Sequence, residues 1–423
     1  MTGVTTEPER GRLSTAGRAI VRRFDSGPVL TIASGAGMAS LAMNFWVPFL
    51  PLYMRELGAP NNTSALFWVG VATTAQGLAR LAAGPLWGML SDRMGRKVMY
   101  VRALYLASVT TLIACLATEP WHVAIAFACQ GLFSGFIPAA VALTSVTVPE
   151  SQLGRSLGTV TAAQYLGNTI GPAIGALLAI VLGMRGAILA SALLPSIGAT
   201  MVLFVVPRDK VAPAAKPSEA APAATSSGSV RRLLTAQFGI AILIYFVLFA
   251  TGQLLRLTAP VAIDDLTGSE ATGLVGAAFT IAGIASVIGV VLARNLARPG
   301  RFVRLIAVGM AATAAVSLVL AWAPNAVIYI GVFALISLLQ AMLLPASNTL
   351  IASNAPRERR GTAFGIASSA QALAFMVGPM SAALFAAISL SFGYVVLGVL
   401  FAAVAAFALF ALREPPALEP SAK

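Results

Sequence analysis

Charge is what this sequence has least of. Only 10% of its 423 residues are Asp, Glu, Lys or Arg, where a soluble globular protein uses about 25%. Acids are the scarcer sign, fifteen against 28 Lys and Arg. That shortage excludes an ordinary soluble enzyme and a disordered chain, both of which need a wetted surface. Cysteine and histidine are nearly missing too. Cys115 and Cys129 sit in apolar runs and His122 stands alone, which leaves no disulfide framework and no metal-ligand set. No cofactor is expected, and with no His-Glu-x-x-His pair and no intramembrane pair of acids, neither is enzymatic chemistry. No cleavable signal is expected either, since the first 25 residues are polar and carry Arg10, Arg12, Arg18, Arg22 and Arg23.

What is abundant is carbon. Apolar residues make up 58% of the chain, the mean hydropathy is +0.86, and the apolar residues fall in long runs. A helix crosses a hydrocarbon core of about 30 Å with about 20 such residues. Twelve runs qualify, at 29–54, 65–89, 98–117, 121–146, 157–180, 185–206, 238–260, 271–293, 302–322, 325–351, 361–386 and 390–412. Their narrowest separations are Thr118–Pro120 and Ala323–Pro324. Continuous rather than alternating runs exclude a membrane β-barrel. The predicted fold is an all-α, multi-pass protein of the cell membrane with twelve transmembrane helices.

The cations sort by side. With the N-terminus inside, the inner loops hold nearly all of them, from Arg93, Arg96 and Lys97 to Arg357, Arg359 and Arg360, whereas the outer loops hold only Arg55 and Arg185. Positive residues stay inside, so both termini are predicted to be cytoplasmic. The net charge of +13 is then a topological signal answered by anionic lipid head groups, and nucleic acid is not expected as a partner. An Ala-, Pro- and Ser-rich stretch divides the spans six and six. The predicted organisation is a tail at 1–28, a six-helix bundle at 29–206, a cytoplasmic linker at 207–237, a second bundle at 238–412 and a tail at 413–423.

A shift of 207 residues superimposes the halves over 138–177 without a gap. Pro138, Pro149, Gly154, Gly158, Gln164, Gly171 and Pro172 then meet Pro345, Pro356, Gly361, Gly365, Gln371, Gly378 and Pro379. Matches of Gly, Pro and Gln at one offset are not cheap in an Ala- and Leu-rich chain. They predict two pseudo-symmetric bundles as parallel repeats about an axis normal to the membrane, with a substrate site between them near the midplane.

The inner loop after the second span reads Gly88-Met-Leu-Ser-Asp92-Arg93-Met-Gly95-Arg96-Lys97. Gly95 permits its turn, and Asp92 stands where a carboxylate can face the positive end of a neighbouring helix. Such a latch would hold the halves together on one side and break when that side reopens. In this loop, and in Pro48-Phe-Leu-Pro51-Leu-Tyr, Leu57-Gly58 and Gly135-Phe-Ile-Pro138, the chain resembles the major facilitator superfamily, in particular its drug-exporter branch. The resemblance implies alternating access and gives Gly88, Asp92, Arg93, Gly95, Arg96 and Lys97 to a gating loop that steadies the outward-facing state. The equivalent loop from Gly289 to Arg301 has no acid.

The fifth span carries Gly167, Gly171, Pro172 and Gly175. Glycines four apart share a helix face and admit a close neighbour, and Pro172 leaves the carbonyl of Asn168 without its helical donor. The stretch resembles the superfamily's antiporter motif, which implies a hinge or tight seal against leak.

No acid lies near the middle of a predicted span. The family often places Arg three residues before a Gln-Gly pair. Here Gln130-Gly131 is present, but Phe127 holds the Arg position. Either a peripheral acid such as Glu56 or Asp92 carries a proton, or the protein is a uniporter, or the substrate's own charge couples transport. Two arginines do fall inside spans, at a cost of about 2.5–3.5 kcal/mol each. Arg256 is expected to snorkel, whereas Arg80 is placed deep enough to meet a substrate anion. The other substrate-cavity candidates are Asn44, Trp46, Gln76, Gln130, Gln164, Asn168, Gln253, Gln340 and Gln371. These features predict a monomeric exporter of small lipophilic or drug-like molecules, with protons as coupling ion. The alternative is a uniporter or uptake permease for a small anionic metabolite bound by Arg80 and Arg256.

Overall fold

The computed structural model describes residues 27–133, 135–207, 235–268, 271–296, 300–355 and 360–414. Regular structure among them is helical. The first half comprises α1 (Gly27–Trp46), a 3-10 turn (Val47–Phe49), α2 (Leu50–Glu56), α3 (Asn62–Met94), α4 (Arg96–Cys115), α5 (Pro120–Phe133), α6 (Phe136–Thr147) and α7 (Glu150–Val205). The second half comprises α8 (Ala236–Thr267), α9 (Ala271–Leu296), α10 (Phe302–Ala321), α11 (Ala326–Ser353), α12 (Arg360–Ile388) and α13 (Leu390–Ala411).

In hydrocarbon every backbone polar group must be satisfied within the chain, which is why the apolar runs form helices. Side chains mark the starts. Asn61, Thr235, Asn325 and Ser389 each accept a hydrogen bond from the backbone N–H three residues on, satisfying a donor the helix cannot. His122 does similar work at the start of α5, its Nδ1 accepting from the backbone N–H of Thr118 and Glu119 at 3.3 and 3.1 Å. The two narrow separations in the sequence are therefore real breaks between helices.

Two predicted single runs are interrupted. Pro48 and Pro51 lack the N–H a helix needs, and the first run passes through a 3-10 turn there. The fourth breaks before Phe136, where Gly135 takes φ +120°, a conformation L side chains rarely adopt. Helix α7 is 56 residues long, but Gly183, at φ 73°, is non-helical within it. The chain doubles back at that point. Gly37 of α1 faces Ala163, before the break, and Gly35, two residues earlier, faces Gly198 and Val202, after it.

Ten stretches of the described residues are long and apolar enough to cross a bilayer. Ser156–Val205 contains the Gly183 reversal and counts as two crossings. Helix α3, with 33 residues, is longer than a crossing but too polar for that set. The arrangement is consistent with twelve spans in two bundles. The internal repeat is visible in the packing. Gly171 of α7 lies over Leu41 and Asn44 of α1, and its counterpart Gly378 of α12 lies over Ala250 and Gln253 of α8.

Candidate functional site

The bundles meet at one end. Asn62 Nδ2 donates to Asp265 Oδ1 at 2.7 Å and Thr63 Oγ1 to the carbonyl of Ala386 at 3.0 Å. Below these bonds run two seams. Gly70 and Gly77 of α3 face Met380 and Met376 of α12, and Gly276 and Gly283 of α9 face Ala176 and Thr169 of α7. Each glycine pair is spaced by seven residues, two helical turns, so both members lie on one face. A Cβ added at Gly77 would stand 2.6 Å from Met376 Cγ, and one at Gly283 2.7 Å from Thr169 Cγ2. At the other end, where the loop cations cluster, the faces stand apart. The repeat-related Gly158 and Gly365 have open space where a side chain would be. Among the described residues, the bundles touch at the cation-poor end and stand apart at the cation-rich one.

Between the bundles lies a cavity of about 280 Å³, walled by α7, α8, α9 and α11. Tyr165, Phe279 and Phe333 give it aromatic faces, and Asn168, Ser286, Ser337 and Gln340 give it neutral polar ones. Its one lining cation among the described residues is Arg256. The guanidinium does not snorkel. Arg256 Nη2 donates across the interface to Asn44 Oδ1 of α1, and Asn44 Nδ2 donates to Asn168 Oδ1 of α7 at 2.7 Å. The buried Arg256 Nε is left without a partner. The site therefore holds a fixed positive charge, tied to the opposite bundle only through neutral amides, with one N–H still to satisfy. A buried donor in that condition costs about 1–3 kcal/mol, and a substrate acceptor would recover it.

Of the sequence candidates, Asn168, Arg256 and Gln340 line this cavity, with Asn44 directly behind Arg256. Others lie elsewhere. Gln76 Nε2 donates to Gln130 Oε1 at 2.5 Å, and Gln130 Nε2 reaches Met43 Sδ at 3.0 Å, so both amides spend themselves inside the first bundle. Trp46 is sealed in that bundle's core, edge-on to Phe127 with ring centroids 5.6 Å apart. Gln164, Gln253 and Gln371 are half-buried and are not among the lining residues. Arg80 lines a separate cavity, so the two arginines of the alternative reading do not share one site. The aromatic walls went unread because isolated Tyr and Phe carry no signal in a chain this apolar.

Gly167, Gly171 and Gly175 bring α7 onto the backbone of α1 at Gly37, Leu41 and Phe45. That contact lies inside the first bundle. The face of α7 that meets the second bundle carries Thr169, Pro172 and Ala176. In the loop at 88–97, Gly95 takes φ +93°, and Arg96 donates to Ser145 Oγ at 2.9 Å and the carbonyl of Ala142 at 3.3 Å. Lys97 Nζ donates to the carbonyls of Leu203 and Val206 at 2.7 and 2.5 Å. Arg93 is exposed, while Gly88 and the Asp92 side chain lie outside the described residues.

The sequence profile of the Major Facilitator Superfamily matches residues 32–379 and 241–423. The chain is 31% identical to the "Multidrug resistance protein MdtG" of Proteus mirabilis (strain HI4320), over 84% of this chain and 86% of that one. It is 30% identical to the protein of the same name from Citrobacter koseri, over 86% and 89%. Among solved structures, a bacterial homologue of the human lysosomal transporter Spinster, inward-facing and occupied, superimposes with a TM-score of 0.71 at 14% identity, over 93% and 96%. A D-xylose–proton symporter superimposes at 0.70 with 18% identity, over 92% and 98%.

Proposed function

Because the chain belongs to the major facilitator superfamily, a class of membrane transporters, we propose that it exports small lipophilic or drug-like molecules by alternating access. The observation that carries this reading is the cavity between the bundles, closed at the cation-poor end and open at the cation-rich end. On the positive-inside rule the open end is cytoplasmic, so the cavity stands ready to take a solute from inside. The multidrug-resistance names of the relatives agree with that direction.

The walls define what fits. Aromatic faces and a few amides suit a mostly apolar body with one or two acceptors. Arg256 adds a fixed positive charge, which favours neutral or anionic lipophiles and repels cations. Its bond to Asn44 spans the two bundles, so a substrate acceptor bound at Arg256 competes with that bond and loosens the interface. A second reading, a uniporter or uptake permease for a small anionic metabolite, rests on the same arginine and differs in substrate and direction.

The gating loop is proposed to act in the opposite state. Asp92 would then face the second bundle once the cation-rich end closes. Asp92→Asn is expected to reduce efflux by at least tenfold while leaving membrane expression intact, measured as export from cells alongside an immunoblot. Unchanged efflux would remove the latch.

The energy source is proposed to be the proton gradient. In proteoliposomes a lumen more acidic than the bath should drive accumulation of neutral and anionic lipophiles, and a protonophore should abolish it. Indifference to the gradient would make the protein a facilitator. In the same assay Arg256→Gln is expected to weaken anionic compounds about ten- to hundredfold, as loss of a charge-assisted hydrogen bond of about 1.5–3 kcal/mol requires. Neutral compounds should change by a few fold at most.

A further inference from the structure

A second cavity, of about 310 Å³, lies wholly inside the first bundle, between α3, α4 and the break that separates α5 from α6. It shares no lining residue with the cavity between the bundles. Most of its wall is carbon, including Ala83, Met99, Phe136 and Ile137, yet Arg80 and Arg102 both line it. No carboxylate among its described lining residues answers them.

Arg102 is held in place without being neutralised by any described residue. The Arg102 guanidinium carbon lies 3.4 Å from the centroid of the Trp87 ring, and Trp87 Nε1 donates to the carbonyl of Leu132 at 2.5 Å. The indole is thus fixed by α5 and forms a shelf under the cation. Stacking satisfies the face of the guanidinium but not its edge, and Arg102 Nε and Nη1 are buried without a hydrogen-bond partner. A guanidinium edge presents parallel N–H groups in a fork that matches the oxygens of a phosphate or carboxylate. Two intramembrane cations are costly unless something of opposite sign accompanies them.

We propose that the Arg80–Arg102 cavity binds a phosphate-type oxyanion. Its depth and walls favour an anion carried on an apolar tail. Arg102 lies six residues beyond the start of α4, or about 9 Å from the cation-rich end, within reach of a lipid phosphodiester in the adjoining leaflet. The carbon walls then take the beginning of an acyl chain. A soluble phosphate offers the same oxygens without the tail.

The test uses the purified full-length protein in neutral detergent, stripped of lipid, with thermal unfolding as readout. The probes are phosphatidylglycerol, diacylglycerol with the same chains, and inorganic phosphate. Phosphatidylglycerol is expected to raise the melting temperature saturably, and diacylglycerol to leave it unchanged. R80Q and R102Q should each raise the half-saturating concentration at least tenfold and together abolish the shift, while R304Q, at an exposed cation, should leave it as in the wild type. A shift with inorganic phosphate that shows the same arginine dependence would support the oxyanion site and assign it to a soluble anion. No shift with any probe, or a shift that survives the double substitution, would overturn the proposal. If R102Q does not fold, R102K, which keeps the charge and loses the fork, takes its place and should bind several-fold more weakly.

Discussion

Gly276→Leu is expected to abolish transport while leaving the protein folded and in the membrane. Gly276 sits on the seam where α9 meets α7, facing Ala176, with the carbonyl of Pro172 beside it. Any side chain there meets the opposite bundle, and it meets it only when the cation-poor end is shut. The substitution therefore spares each bundle's own packing and penalises one conformation. Overfilling a close-packed contact costs about 1–3 kcal/mol, enough to move a two-state ratio about ten- to hundredfold. The molecule should collect in the state open at the cation-poor end. Spin labels on G158C and G365C, both in open space here, should move closer together in the Gly276→Leu background. An unchanged distance with normal transport would show that the seam does not have to close.

Gly171→Leu should also abolish transport, by a different route. A Cβ at Gly171 would lie 2.6 Å from Asn44 Cβ and 3.1 Å from the Leu41 carbonyl. Both belong to α1, in the same bundle, so the clash persists in every conformation. Membrane helices hold together by close packing rather than by a hydrophobic drive, and small residues allow it. Forcing α1 and α7 apart should lower the melting temperature of the purified protein and also displace Asn44, the residue that joins Arg256 to Asn168. Gly171→Ala should show a graded form of both effects. Wild-type stability and transport in Gly171→Leu would refute the packing argument.

The contrast between these two glycines marks what the sequence made legible. Spacing by four announced that the Gly167–Gly175 face meets another helix, but not which one. The neighbour is α1, and the seam between bundles uses the next face round. The glycines that do build the seams, at 70 and 77 and again at 276 and 283, were open to view as a pair of pairs displaced by 206 residues. An isolated glycine in a span carries no signal of its own, and this offset differs by one from that of the other repeat. The runs themselves, and the repeat over 138–177, were readable because a bilayer crossing imposes length and carbon on a single contiguous segment. The cavity was harder, since its geometry joins Asn44 to Arg256 across 212 residues of chain. Amides illustrate why: Gln76 and Gln130 look as suited to a substrate as Asn168 does, yet they satisfy each other.

Lys97 closes the loop at 88–97 and reaches the carbonyls of Leu203 in the last turn of α7 and of Val206, its C-cap. The first bundle's described structure ends one residue later, at Pro207. The described end of the first bundle is therefore hydrogen-bonded to the loop at 88–97. Loss of the Lys97 ammonium would release the end of α7 from that loop.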